Sequence, residues 1–139
     1  MRDLKEYKTT VFWKEEDDDI LFFKYSQKLE IDIGTAKEIV KSRLDYTKEK
    51  PMYTLIDVTN VKSTTKEARD YMSSPEGGLK GILGGAFLSN NVVSTLVINL
   101  FLKVSHPAVP AKFFTHKDEA LKWLKKIKVE NESIILEHF

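Results

Sequence analysis

Cysteine is absent from the 139 residues, which excludes a disulfide framework, thiolate chemistry and any metal site built on sulfur. Histidine is scarce: the three residues are His106, His116 and His138. His106 and His116 flank a strand-like run, Val109–Phe114, so they fall at its opposite ends and cannot share one ion. Neither a metal centre nor a cofactor is expected. Long hydrophobic runs are missing too. The opening Met1-Arg2-Asp3-Leu4-Lys5-Glu6 lacks the apolar core of a secretory signal. The longest apolar stretch, Val92–Val104, is interrupted by Ser94, Thr95, Asn99 and Lys103 and is too short to span a bilayer. A cytoplasmic protein without a membrane span is the expectation. An excess of one charge is lacking as well, with 22 Lys and Arg against 21 Asp and Glu, interspersed. That balance argues against a nucleic-acid binder. The acidic cluster Glu15–Asp19 and the basic patch Lys122, Lys125, Lys126 and Lys128 read as solvated surface. The nucleophile elbow Gly-x-Ser-x-Gly, the phosphate-binding Gly-x-x-x-x-Gly-Lys-Ser/Thr loop and the dinucleotide Gly-x-Gly-x-x-Gly fingerprint are all missing, and Gly77-Gly78 and Gly84-Gly85 have the wrong spacing for any of them.

What is present is the pattern of one α/β domain over residues 1–139. The chain is 42% hydrophobic and long enough to bury a core unaided. Thr9–Lys14 and Ile20–Tyr25 are rich in β-branched and aromatic residues around the acidic cluster, which predicts a β-hairpin. Asp32 then caps a helix with Ile33, Ala36, Ile39, Val40 and Leu44 on its apolar face. Met52–Val58 is a buried strand, and a strand–helix–strand unit implies a parallel crossover. Thr64 and Glu67 have capping-box spacing for a second helix carrying Ala68, Tyr71 and Met72, which Pro75 ends. Leu83–Leu88 is the next strand, and the small residues Gly84-Gly85-Ala86 would let a helix approach closely. Ser89-Asn90-Asn91 offers caps for a third helix, Val92–Val104. Val109–Phe114, with Pro110 near its start, suits an edge strand. Thr115 and Asp118 lead a last helix whose inner face holds Ala120, Leu121, Trp123, Leu124 and Ile127. The tail contributes a short strand, Ile134–Leu136. The predicted order is β-β-α-β-α-β-α-β-α, with a mostly parallel sheet.

That order resembles the STAS fold of SpoIIAA-like anti-sigma-factor antagonists. The wording is closer to an uncharacterised bacterial branch of STAS-like proteins. Three stretches carry the resemblance: Leu55–Val61, Glu67–Tyr71, and Pro110–Phe114 leading into Glu119–Leu124. It implies a non-enzymatic regulatory or protein-interaction domain. In anti-sigma antagonists a serine at the start of the helix after this strand is phosphorylated, and Ser63 or Thr64 corresponds by position. The loop here does not carry the Asp-Ser-Ser/Thr-Gly run of those proteins.

Two surfaces stand out. Ligands of parallel α/β sheets gather at the carboxyl ends of strands, where helix N-termini favour anions. Asp57, Asn60, Ser63 and Thr64 lie at one such end, Ser89, Asn90 and Asn91 at a second, and His116 beside Thr115 at a third. If those strands are adjacent, the groups share a rim. Helix capping and loop closure explain the same residues without a ligand. Asp57 after an apolar strand also suggests a receiver-like phosphoacceptor or a cryptic enzyme, although the acids that would hold its metal are in the hairpin. The second surface is the third helix, apolar around most of its circumference except for the stripe Thr95, Asn99 and Lys103. Its Val93, Val97, Leu100 and Phe101 are core, a homodimer interface, or the wall of a cavity for a lipid-like ligand. The expectation is thus an interaction domain, a homodimer meeting an unidentified protein partner. The alternative is a carrier or sensor of a small apolar or anionic ligand.

Overall fold

A computed structural model describes residues 1–105 and 109–137, without the side chains of 100–105 and 135–137. Eight strands and four helices follow in the order β1 (Arg2–Glu6), β2 (Thr10–Lys14), β3 (Ile20–Tyr25), β4 (Leu29–Ile31), α1 (Ile33–Thr47), β5 (Met52–Asp57), β6 (Val61–Thr64), α2 (Lys66–Met72), β7 (Ile82–Leu88), α3 (Val92–Ser105), β8 (Ala111–Phe114) and α4 (Lys117–Glu137) among the described residues. The main sheet runs β1-β2-β3-β5-β7-β8, and β4 and β6 form a small parallel pair beside it. β1–β2–β3 is antiparallel; β3–β5–β7–β8 is parallel throughout. The hairpin, the parallel crossovers and the edge position of the last strand match the sequence pattern.

Three strands were not predicted. β1 is charged and exposed along its length, with no apolar alternation to mark it. It pairs through its backbone, with a register shift between Arg2 and Lys5, and its charge keeps an edge from pairing with other chains. β4 and β6 are too short for a period to show. Within them only Ile31 and Val61 are buried, and both join the core. The polar loop Asp57–Thr65 is therefore half strand.

Two other boundaries are corrected. Thr64 does not cap α2, because it is the last residue of β6 and pairs with Ile31. Thr65 takes the role one residue later, its side chain accepting from the Ala68 N–H at 3.1 Å. The tail strand Ile134–Leu136 is instead the end of α4, which runs on to Glu137. Extending a formed helix costs little compared with starting a strand. Asn131 anchors the extension by donating to the Tyr53 hydroxyl at 2.9 Å.

The core is two layers, one on each side of the sheet. On one side α4 sets Ala120 and Leu124 against Val11, Trp13, Ile20, Phe22, Tyr53 and Leu55. Gly84 makes this approach possible: a Cβ there would stand 2.6 Å from Ile127 Cδ1 and 3.3 Å from a Tyr53 ring carbon. On the other side the helices supply Ala36 and Ile39 of α1, Ala68 of α2 and Ile98 of α3, packed on Phe12, Leu21, Phe23, Tyr25 and Met52. The buried stripe of α1 is Ala36, Ile39, Val40, Arg43 and Thr47, so an arginine holds a core position on that helix; Ile33 and Leu44 are only half-buried.

The acidic turn between β2 and β3 is not simply solvated. Lys128 of α4 pairs with Asp17 at 2.9 Å and Asp19 at 3.2 Å, Lys50 with Asp19 at 2.9 Å, and Lys117 with Glu15 at 2.7 Å; Arg2 pairs with Asp18. The turn thereby fastens α4 and the start of β5 to the hairpin. Hydrogen bonds from Lys50 and Lys128 hold the Asp19 carboxyl below its usual range, and the hydrogen bond to Asp17 raises the Lys128 ammonium above its own.

Candidate functional site

The parallel order places the carboxyl ends of β5, β7 and β8 side by side, so Asp57 and Asn60, the Ser89–Asn91 group and His116 share one rim, while Ser63 and Thr64 do not. Val58 N–H donates to Leu88 O at 2.9 Å, and Ser89 N–H to Phe114 O at 3.2 Å, closing the rim from end to end. Its polar side chains are occupied locally. Asp57 Oδ1 accepts from Thr59 N–H at 2.9 Å, and Asn60 Nδ2 donates to Tyr25 O at 2.9 Å. Ser89 is buried and its Oγ accepts from Asn91 N–H at 3.0 Å. Asn91 Oδ1 caps α3 by accepting from Val93 N–H at 2.9 Å and Ser94 N–H at 3.4 Å. The N–H groups that would favour an anion there are thus filled by the chain's own amide. Asn90 and His116 are exposed, and the carbonyl of His116 accepts from Ala120 N–H at 3.2 Å in the turn before α4.

Ser63 and Thr64 lie on β6, away from the turn at Asp57–Asn60. Ser63 is exposed and Thr64 half-buried, its Oγ1 accepting from Arg69 at 3.1 Å. Asp57 and the acidic turn are at opposite ends of the sheet, because Asp57 pairs in register with Lys24 at the end of β3 while the acids precede Ile20 at its start. A receiver-like acidic centre is not assembled. Among the described residues no three His, Asp or Glu side chains group to hold a metal ion, and no helix is long and apolar enough to cross a membrane.

The apolar third helix is divided. Ser94 is fully buried and its hydroxyl donates to Thr59 O at 2.6 Å, tying α3 to the β5–β6 turn. Ile98 is core and Val97 packs half-buried against it, so Val97 is not on the outward face. The outward face at this end is Val92, Val93 and Leu96, which are 76%, 53% and 64% exposed. The side chains of Leu100 and Phe101 lie outside the described residues.

Behind α3 the layer of α1 and α2 does not close on the sheet. A cavity of about 90 Å³ remains. Phe23, Ile39, Ile56, Met72, Val97 and Ile98 give it mostly apolar walls. The buried guanidinium of Arg43 and the half-buried one of Arg69 reach it as well. Arg43 donates to Gly78 O at 3.1 Å, and Arg69 to Thr64 O at 2.8 Å. Burial pushes the Arg43 guanidinium down to about 10, which still leaves it a cation at neutral pH. Neither arginine was singled out from sequence. The available signal for Arg43 was its spacing: it follows Ala36, Ile39 and Val40 on the helix's inner stripe, where a charge is rare.

A hairpin feeding alternating helices and parallel strands, with polar turns gathered on one rim, defines a SpoIIAA-like α/β domain. A similar solved structure is an uncharacterised protein of the DUF3478 family with a SpoIIAA-like fold from Shewanella loihica PV-4, with a TM-score of 0.55 and 19% identity over 86% of this chain and 97% of that one. At that identity the likeness establishes the fold. The chain belongs to the family of the domain of unknown function DUF7793, whose model matches residues 12–128. No curated protein matches the sequence.

Proposed function

We propose that the protein is a single, non-enzymatic regulatory domain that works by binding other protein chains, and that it pairs with a second copy through the outer face of α3. The supporting observation is the patch Val92, Val93 and Leu96, three large apolar side chains left to water on consecutive turns beside the rim. Covering such side chains is worth roughly 1.5–3 kcal/mol each. A single helix face meeting its own copy across a two-fold axis is self-complementary. The rim fits a polar border to such an interface, since its groups are held in fixed positions by local hydrogen bonds rather than converging on a reacting atom. Of the two hydroxyls that correspond to the phosphorylated serine of anti-sigma antagonists, Ser63 is the exposed one, and so the regulatory acceptor under this reading.

Sedimentation velocity over a range of concentrations tests the pairing. The wild-type chain should sediment as a dimer, and Leu96→Glu as a folded monomer with an unchanged circular dichroism spectrum, because Leu96 is exposed. A wild-type monomer at the highest soluble concentration overturns self-pairing. A dimer that survives Leu96→Glu and Val93→Glu together overturns the assigned face.

A further inference from the structure

The inner side of α3 carries an inference independent of its outer side. We propose that the cavity between the sheet and α1, α2 and α3 binds a small amphipathic anion, a short apolar tail ending in one carboxylate, with the carboxylate seated on Arg43.

Arg43 is the observation that asks for a ligand. It is 4% exposed, on the inner stripe of α1, and lines the cavity. A guanidinium has five N–H donors. Among the described residues Arg43 makes one hydrogen bond, to the Gly78 carbonyl, and takes part in no ion pair. The groups whose charge acts on it are the phenols of Tyr25 and Tyr71, not a carboxylate. Proteins seldom leave a buried cation in that condition, because desolvation costs several kcal/mol that only a paired anion offsets. A burial that penalises its charge is reflected in the lowered pKa.

The cavity supplies the remaining specification. Among the described residues no Asp or Glu lines it, and a second arginine, Arg69, does; its guanidinium is held by Thr64 and is likewise outside every ion pair described. Two cations without an acid select an anion. The planar fork of a guanidinium matches the two oxygens of a carboxylate. Apart from Thr54, Thr64 and Tyr25, the rest of the wall carries no polar side chain among the described residues, which suits a hydrocarbon tail and disfavours a fully hydrated ion such as free phosphate. Size limits the tail. At about 90 Å³ the space is smaller than the roughly 150 Å³ apolar cavity that accepts a benzene ring, so the ligand has no more heavy atoms than benzene, and a four-carbon acid is the upper range.

The test uses the full chain and three probes: butyrate, 1-butanol and inorganic phosphate. By titration calorimetry the wild-type protein should bind butyrate, bind 1-butanol about tenfold more weakly, and not bind phosphate. Arg43→Met keeps the bulk and removes the charge, and should bind the alcohol at least as well as the acid. In the wild type, the Nε–H resonance of Arg43 should shift strongly with butyrate and much less with 1-butanol. That readout decides the question even if Arg43→Met fails to fold. No binding of butyrate, equal binding of acid and alcohol, binding of phosphate as tight as butyrate, or an Arg43 resonance indifferent to butyrate each overturns the proposal. None of these results bears on dimer formation, which is read by sedimentation.

Discussion

The two sides of the sheet are packed from the same strands to different ends. On the α4 side the contact is close: a Cβ at Gly84 would meet Ile127, and Trp13 stacks on Phe22 with ring centroids 5.8 Å apart. On the α1–α3 side three helices share the cover, and they leave a hollow with a buried cation at its wall. Adjacent residues point to opposite sides, so the contrast can be read pairwise: Phe22 belongs to the α4 layer and Phe23 to the hollow one, Gly84 faces α4 and Gly85 lines the cavity. One helix laid along a sheet can close on it. Several short ones meeting at angles leave space between them, and that space is where a ligand can be held without strain elsewhere.

The largest expected effect comes from Phe22→Ala, which should lower unfolding free energy by about 4 kcal/mol in urea titration, because a close-packed layer cannot collapse into the void. Phe23→Ala should cost about 1 kcal/mol less, since its neighbours already border free volume. Equal costs would mean that the two layers are equally rigid and would break the comparison. The glycine pair sharpens it. Gly84→Val should destabilise by about 2 kcal/mol through overpacking against Ile127 and Tyr53. Gly85→Ala should stay within about 0.5 kcal/mol of wild type, because its Cβ would find only ordinary contacts, 3.5 Å to Thr54 and 3.9 Å to Phe87.

Arg43→Met reverses the sign. Removing a buried cation with no carboxylate beside it should be neutral or stabilise the unliganded protein by up to about 2 kcal/mol. Burial lowers the folded pKa to about 10, well below the ordinary guanidinium value, so the unfolded chain holds this proton more tightly than the folded one. Stability should therefore rise with pH above about 10 from this group, and chemical denaturation should show that rise in the wild type but not in the variant. A strongly destabilised Arg43→Met would indicate that the guanidinium is needed to hold α1 to Gly78.

A modest loss is expected at the acidic turn. Lys128→Met should cost about 1 kcal/mol, less in high salt, as an ion-pair network at the surface does. Because the Asp19 pKa is lowered, its share is present above the ordinary aspartate value of 3.8 and is lost as pH falls through the lowered value. The raised Lys128 works in the opposite sense: its share is present below 10.5 and disappears as pH rises through the raised value. Thermal melts of wild type and variant should converge at acid pH; curves that stay parallel would contradict the pairing.

Sequence alone was enough for the fold class, and for a physical reason. Residue type and periodicity are local signals: β2, β3, β5 and β7 are runs rich in apolar residues, and α1 and α4 bury a stripe long enough to show a helical period. Caps were legible within a residue, as Asp32 and Thr65 illustrate; the error at Thr64 arose because a four-residue strand, β6, claimed it for a partner, β4, thirty-odd positions away in the chain. β1, β4 and β6 could not be read, being held by backbone pairing with distant segments rather than by an apolar pattern. The rim was also foreseeable, since it follows from strand order, but only the tertiary structure showed that Asp57, Asn60, Ser89 and Asn91 are each taken by a backbone N–H or carbonyl. Of the readings open for Val97, core, dimer interface or cavity wall, its packing on the core and its place in the cavity lining favour the first and third, a choice an apolar helix does not reveal from its own sequence. The cavity and the solitary charge of Arg43 belong wholly to the tertiary structure. A void is the gap left between elements, and whether a buried cation has an anion beside it depends on every segment that folds against it.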